Sequence, residues 1–226
     1  METVVITGAN RGIGLQMARR FVERGARVIG TCRDPANAGE LHSVCAASGA
    51  VVSLEVTSAH SVASLIEYLN GSSVDVLINN AGVMGGKQSI DEMDYDAWLD
   101  AFQINTIAPF RLATALRPNL IQSPRPRVVT ITSQMGALSR NSVGQYAYRT
   151  SKAAANKAMQ VMAQELRAQE IVVCPVHPGW VRTDMGGPQA DLSVEESANG
   201  LVDLISGLSM EHSGRFWTWD GREHAW

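Results

Sequence analysis

Tyr148 and Lys152 stand four residues apart in the run Tyr148-Arg-Thr-Ser-Lys152. On a helix, side chains at that spacing share one face. An ammonium there favours the phenolate and lowers a phenol pKa that is about 10 when unperturbed. Such a phenol can protonate a carbonyl oxygen during hydride delivery, or deprotonate an alcohol in reverse. Tyr146 has no such partner, because Thr150 stands four residues on. Taken alone, the spacing is common by chance and reads better as a surface pair, so its company decides. Ser133 ends a predicted strand, at the carboxyl edge where α/β sheets bind ligands. Its hydroxyl can reach the same oxygen, although a serine there also caps turns. Asn79-Asn80-Ala81-Gly82 closes another strand at that edge. Asn105 sits inside a predicted helix, where asparagine has modest propensity and a buried structural hydrogen bond is the plainer use.

A second group of residues could hold a dinucleotide. Thr7-Gly8-Ala9-Asn10-Arg11-Gly12-Ile13-Gly14 follows a predicted strand and opens a predicted helix. Glycines Gly8, Gly12 and Gly14 let backbone N–H groups approach a pyrophosphate, and the helix N-terminus adds partial positive charge. The spacing is Gly-x3-Gly-x-Gly. A nucleotide-binding P-loop is excluded: Gly86-Lys87 is followed by Gln88, and Ala81 stands where the leading glycine would be. The second predicted strand ends Thr31-Cys32-Arg33, with Cys32 where an acid would bind the ribose 2′-OH of NAD. Arg33 and Arg11 suit a 2′-phosphate instead, which accepts charge-assisted bonds. The expected cofactor is NADP(H). Asp34 could also approach a ribose hydroxyl, but it lies one residue too far along.

These residues need a frame. Predicted strands are Thr3–Thr7, Arg27–Cys32, Ala50–Glu55, Val74–Asn79, Arg127–Ser133, Ile171–His177 and Gly214–Trp217. Several are near-continuous apolar runs, as suits strands covered on both faces. Leu15, Ala18, Phe21 and Val22 recur at helical spacing, as do Val62, Leu65, Ile66 and Leu69. Ser193-Val-Glu-Glu196 reads as a capping box opening a helix through about Ser206. Alternating strands and helices predict right-handed βαβ units. The expected fold is α/β: a single Rossmann-like domain over 1–226, with a doubly wound, mostly parallel seven-stranded sheet and helices on both faces.

TGANRGIG, NNAG, the in-helix Asn105, Ser133, Tyr148-x3-Lys152 and Pro178-Gly179 occur in one order over essentially the whole chain. In this the sequence resembles the short-chain dehydrogenase/reductase family. Tyr146-Ala-Tyr148-Arg-Thr-Ser-Lys-Ala-Ala and Gly214-Arg-Phe…Asp220-Gly221 resemble its C-factor-like and carbonyl-reductase-like branch. The resemblance implies an NADP-dependent oxidoreductase interconverting a carbonyl and an alcohol. Tyr148 would be the acid/base, and Ser133 would orient the substrate oxygen. Lys152 would bind ribose hydroxyls and tune Tyr148, and Asn105 would hold a water in a proton relay. Asn80, with Ala81 and Gly82, would lie along the adenosine half of the cofactor. Val181 and Thr183, after Pro178-Gly179, would contact the nicotinamide amide and phosphate. Glu55 and Val56 would border the adenine, where the family usually has aspartate, so Glu55 is a departure. A longer loop than usual separates Ser133 from Tyr148. Met135, Trp180 and Met185 would line an apolar substrate pocket with Ser133 and Tyr148. A signalling or cofactor-sensing protein on the same fold is the rival reading, since fold does not fix function.

Composition excludes other classes. The 226 residues carry a formal net charge of −3 and show no basic stripe, which argues against a nucleic-acid partner. No apolar run approaches the roughly 20 residues that span a bilayer, so no membrane partner is expected. The three cysteines, Cys32, Cys45 and Cys174, form no CxxC pair, which argues against a metal site and for reduced thiols in the cytoplasm. The helices expected over Asp96–Leu120 and Tyr148–Ala168 are long. The second carries small residues (Ala153, Ala154, Ala155, Ala158) that permit close helix approach. Homo-oligomerisation is therefore expected, and the family resemblance implies a homodimer or homotetramer.

Overall fold

A computed structural model describes residues 1–226. The chain runs β1 (Thr3–Thr7), α1 (Gly12–Glu23), β2 (Arg27–Cys32), α2 (Gly39–Cys45), β3 (Ala50–Ser53), α3 (Ala59–Leu69) and β4 (Val76–Asn79). Then come α4 (Tyr95–Phe102), α5 (Ala108–Ala115), α6 (Arg117–Leu120), β5 (Arg127–Ile131), α7 (Tyr146–Glu165), β6 (Val172–His177), α8 (Val194–Gly207) and β7 (Trp217–Thr218). The seven strands form one sheet in the order β3-β2-β1-β4-β5-β6-β7, and all six pairings are parallel.

The apolar strand runs explain the layers. Successive side chains of a strand point to opposite faces. Val4 and Ile6 enter one core with Leu15, Phe21, Leu201 and Ile205 from α1 and α8. Val5 enters the other with Leu65, Leu112 and Met159 from α3, α5 and α7. Each such buried side chain contributes about 1.5–3 kcal/mol. The capping box at Ser193 forms in both directions, between its hydroxyl and the Glu196 N–H and between the Glu196 carboxylate and the Ser193 N–H. No helix is long and apolar enough to cross a membrane.

Three sequence expectations are corrected. The helix expected over Asp96–Leu120 is broken into α4, a π turn at Gln103–Ile107, α5 and α6. Pro109 and Pro118 lack the N–H that an uninterrupted helix needs, and each sits in the first turn of a new segment. Second, β5 stops at Ile131, so Ser133 lies two residues beyond it. Third, the last strand is the two residues Trp217–Thr218 rather than Gly214–Trp217, because Gly214 at φ 77° turns the chain before it.

A 3-10 turn at Gln134–Gly136 crosses directly over α7. A Cβ on Gly136 would lie 2.6 Å from the Lys152 carbonyl carbon and 2.7 Å from the Ala153 nitrogen. Backbone cannot yield as a side chain can. Gly136→Ala should therefore destabilise the protein by about 1–3 kcal/mol, as overpacking does. Urea denaturation would show this, and an unchanged midpoint would refute so tight a crossing.

Candidate active site

Strand order reverses between β1 and β4, which opens a crevice at their carboxyl ends. The β1–α1 turn and the end of β4 are tied together there. The Thr7 hydroxyl accepts from the N–H groups of Asn80 and Ala81, both at 3.0 Å. The Asn80 amide donates to the carbonyls of Thr7 (2.9 Å) and Gly8 (3.1 Å). Gly8, at φ 61°, passes so close to Ala81 that a Cβ would sit 3.1 Å from its Cα. A Cβ on Gly14 would meet the Gly8 carbonyl at 2.5 Å. The loop thus presents bare backbone at the N-terminus of α1, a cradle shaped for an anion. Asn10 and Arg11 are exposed at its rim, with Gly12 and Ile13 half-buried.

At the far end of the crevice, Cys32 is buried at the end of β2 and Arg33 is exposed beside it. Burial pushes the Cys32 thiol pKa up, with a smaller opposing contribution from its hydrogen bond to the Asp34 backbone. The Asp34 carboxylate accepts from the Asn37 amide at 2.6 Å. Arg11 donates to Asp184 at 2.8 Å, linking the glycine loop to the segment after Thr183. Glu55 turns its carboxylate onto Thr57, accepting from its N–H (3.2 Å) and hydroxyl (3.0 Å). Val56 is buried beside it.

Tyr148 and Lys152 lie on the buried face of α7. The Lys152 ammonium donates to the Ile131 carbonyl at 2.9 Å and stands 5.7 Å from the centre of the Tyr148 ring. Burial draws the Lys152 pKa down to about 8. Burial also raises that of Tyr148, against the smaller influence of the Ser133 hydroxyl. The phenol is thus shifted opposite to the direction expected from the Lys152 spacing, because desolvation dominates. Ser133 also accepts from the Met135 N–H at 3.1 Å, so it caps its turn while facing the phenol. Gly82 leaves room beside Lys152, since a Cβ there would lie 3.4 Å from Nζ and 3.1 Å from Asn105 Oδ1.

Asn105 sits on the π turn with its side chain committed. Oδ1 accepts from the Val83 N–H (2.9 Å), and Nδ2 donates to the Val83 carbonyl (2.9 Å) and the Ser151 hydroxyl (3.0 Å). Pro109 has no N–H to offer the Asn105 carbonyl in the ordinary helical bond four residues on. That main-chain oxygen therefore lacks the ordinary helical partner, whereas the side chain is fully engaged. The sequence reading missed Ser151 and Gln88. Gln88 Oε1 accepts from the Tyr148 N–H at 3.2 Å and so helps cap α7. Nothing in local spacing marks it, because the contact spans sixty positions.

Beyond β6, Pro178 and Gly179 (φ 88°) turn the chain, and Val181 bridges to Leu192. The Thr183 hydroxyl accepts from the Gly186 N–H at 3.1 Å, and the Trp180 indole donates to the Gly186 carbonyl at 2.9 Å. Trp180 and Met185 are exposed and Met135 is half-buried. A neighbouring cavity of about 460 Å³ is lined by polar groups as well as tryptophans, among them Gln134, His177, Arg222 and His224. The C-terminus closes over this region. The Ser139 N–H donates to the Trp226 carbonyl at 3.1 Å, and Trp226 stacks on Phe216 at 5.8 Å.

Comparison with known proteins agrees with this geometry. The short chain dehydrogenase family model matches residues 2–192. The chain is 47% identical to the C-signal protein of Myxococcus xanthus over 68% of its own length and 93% of the relative's. It is 36% identical, over the full length of both, to 1-hydroxy-2-glutathionyl-2-methyl-3-butene dehydrogenase of a Rhodococcus strain. The NADPH-bound carbonyl reductase from chicken fatty liver superposes with a TM-score of 0.92 at 35% identity, covering 100% of this chain and 99% of that one. On its motifs, its sheet order and these likenesses, the chain belongs to the short-chain dehydrogenase/reductase family of oxidoreductases, in the branch of the C-signal protein and the carbonyl reductases.

Proposed function

We propose that the protein is an NADP(H)-dependent reductase of aldehydes or ketones, working reversibly, with residues 1–226 acting as one catalytic unit. The observation that carries this is the convergence of Ser133, Tyr148 and Lys152 on one crevice whose other end is a glycine cradle. Gly8, Asn10, Gly12, Ile13 and Gly14 would hold the pyrophosphate. Asn80, Ala81, Gly82, Glu55 and Val56 would flank the adenosine half, and Pro178, Gly179, Val181 and Thr183 the nicotinamide half. When bound, the cofactor supplies the hydride. The NADPH carried by the chicken carbonyl reductase supports the choice of cofactor.

The protein's own part is to bind, orient and move a proton. Ser133 donates to the carbonyl oxygen of the substrate, and Tyr148 gives that oxygen its proton. A phenol is protonated at neutral pH, so Tyr148 has a proton to give, although burial makes it a weaker acid. The Lys152 charge then stabilises the phenolate left behind. The Asn105 carbonyl would hold the water that returns a proton to this pair. Met135, Trp180 and Met185 border the substrate on its open side. The free, buried Cys32, Cys45 and Cys174 suit a reducing compartment, so we place the protein in the cytoplasm. A signalling protein that kept the fold would have no use for Tyr148 as an acid, and turnover separates the two readings. Tyr148→Phe should abolish carbonyl-dependent NADPH oxidation while leaving NADPH affinity within a few-fold. Activity near wild type would sink the assignment.

Cofactor preference follows from charge. NADPH should exceed NADH at least about tenfold in kcat/KM, which is only about 1.4 kcal/mol. Arg33 is free to meet a 2′-phosphate, whereas Arg11 must first leave Asp184. Cys32→Asp with Arg33→Ala should reverse the preference, because new repulsion and lost attraction act together. Steady-state kinetics with both cofactors on one substrate checks this. A wild type that already prefers NADH would refute it.

We further propose a homodimer or homotetramer through α4, α5 and α7. Tyr95, Leu99, Phe110 and Val161 are large apolar side chains exposed on these helices. Such surface on neighbouring elements marks an interaction face. Leu99→Glu with Phe110→Glu should convert the assembly to monomer in sedimentation equilibrium. A monomeric wild type would rule the interface out.

A further inference from the structure

Behind the Tyr148–Lys152 pair, three side chains carry polar atoms to which no protein group hydrogen-bonds: Asn79 Oδ1, Thr132 Oγ1 and both amide atoms of Asn156. Asn79, Thr132 and Asn156 are 2%, 1% and 3% exposed. Buried polar atoms nearly always have partners, since a bare one forfeits its hydration for nothing. These three residues come from the end of β4, from just past β5 and from α7.

Their placement brings them together. Asn79 pairs in register with Thr130 and donates to its hydroxyl at 3.3 Å. That hydroxyl donates to the Met159 sulfur at 3.1 Å. Met159 is three residues beyond Asn156, and Lys152 is four before it, so all three share one face of α7. Lys152 bonds the carbonyl of Ile131, the residue between Thr130 and Thr132. Side chains alternate along a strand, so Thr130 and Thr132 both face α7. It follows from these bonds and this register that Asn79, Thr132 and Asn156 wall the space between Lys152 on one side and Thr130 and Met159 on the other. The wall atoms mix donors with acceptors: two amide oxygens accept, one amide nitrogen donates, and a hydroxyl does either. An ion of one sign would fit half of them badly. Water, which gives two hydrogens and takes two, can meet both kinds.

We propose that Asn156, with Asn79 and Thr132, holds a buried water beneath Lys152, and that Asn156 is thereby a positioning residue for the lysine ammonium. The inference rests on the reading of Tyr148 and Lys152 as the proton-transfer pair. The two hydrogens of the water go to the amide oxygens of Asn79 and Asn156, which turns its own oxygen towards Lys152. That negative end supports a charge that burial opposes and that Ile131 alone supports from the side. Tyr148 is the titratable group facing Lys152. The turn at Gln134–Gly136, the π turn and β5 bring it Gly136, Asn105 and Ile131, none of which titrates.

The test has two parts. A high-resolution crystal structure of the wild type should show an ordered water bonded to Asn156 and to Asn79 or Thr132. A dry region there overturns the proposal whatever the enzyme turns over. The second part is the pH dependence of kcat, in which activity falls at high pH as Lys152 loses its proton. Asn156→Leu keeps volume and removes the polar atoms. It should move this alkaline limb to lower pH by about half a unit or more, because the charged form loses a favourable dipole. Thr132→Val should shift it the same way, and carries the test alone if the leucine variant does not fold. The double variant should shift no further than the larger single one, since both remove the same water. Asn156→Ser, small and polar, should bring the limb most of the way back to its wild-type position. A purely structural Asn156 would change thermal stability and leave the limb in place, and that result overturns the positioning role. A wild type without turnover would instead refute the proposed activity, leaving the crystallographic water to be judged by itself.

Discussion

Lys152 is a buried ammonium whose hydrogen bond to protein goes to one carbonyl, that of Ile131. Taking a charge out of water is costly, and the drop in its pKa to about 8 reflects that cost. Much of the surrounding structure follows from accommodating this one group. β5 ends where the Ile131 carbonyl is released from the sheet. Gly136 and Gly82 lack the side chains that would crowd the lysine from two directions. The π turn carries Asn105 against Ser151, the residue next to Lys152, and so braces α7 from the side. The same lack of solvent raises the Tyr148 pKa, so acid and cation are set by a single environment.

The glycine loop works by the opposite logic. Lys152 needs partners, whereas the loop needs nothing in the way. Its shape is held from behind, through Thr7 and Asn80, rather than from the crevice. Its side-chain hydrogen bonds run back to the β4 turn and the Ala9 N–H donates to the Thr31 carbonyl of β2, which leaves the backbone at the α1 N-terminus open to an anion. Arg11 and Asp184 form an ion pair across the crevice mouth with both side chains largely exposed. Exposed pairs of this kind are worth about 0–1 kcal/mol. It can open at little cost, so it does not commit Arg11.

How much of this is legible in the sequence depends on range. The strand runs, the capping box at Ser193, the glycine loop and the Tyr148–Lys152 spacing are local patterns, and local geometry gives each of them its form. Position at the carboxyl edge followed from the βαβ alternation. By contrast, Asp96–Leu120 has helical composition throughout, and only the weight given to Pro109 and Pro118 reveals its breaks. The switch from a lowered to a raised Tyr148 pKa could not be read from spacing either. Burial depends on what packs over α7, and that comes from the turn at Gln134–Gly136 and the end of β5.

The sequence by itself determined the fold class, the order of the strands' chemistry and the identity of the reacting side chains, because these rest on periodicities of two to four residues. Tertiary structure alone decided which polar atoms lose their water and which find partners. Gln88 reaches Tyr148 and Trp226 reaches Ser139 across long stretches of chain, while Asn79, Thr132 and Asn156 are left with buried polar atoms that no protein group meets. Desolvation and hydrogen-bond satisfaction are properties of an enclosed space. No single segment of the chain encloses one.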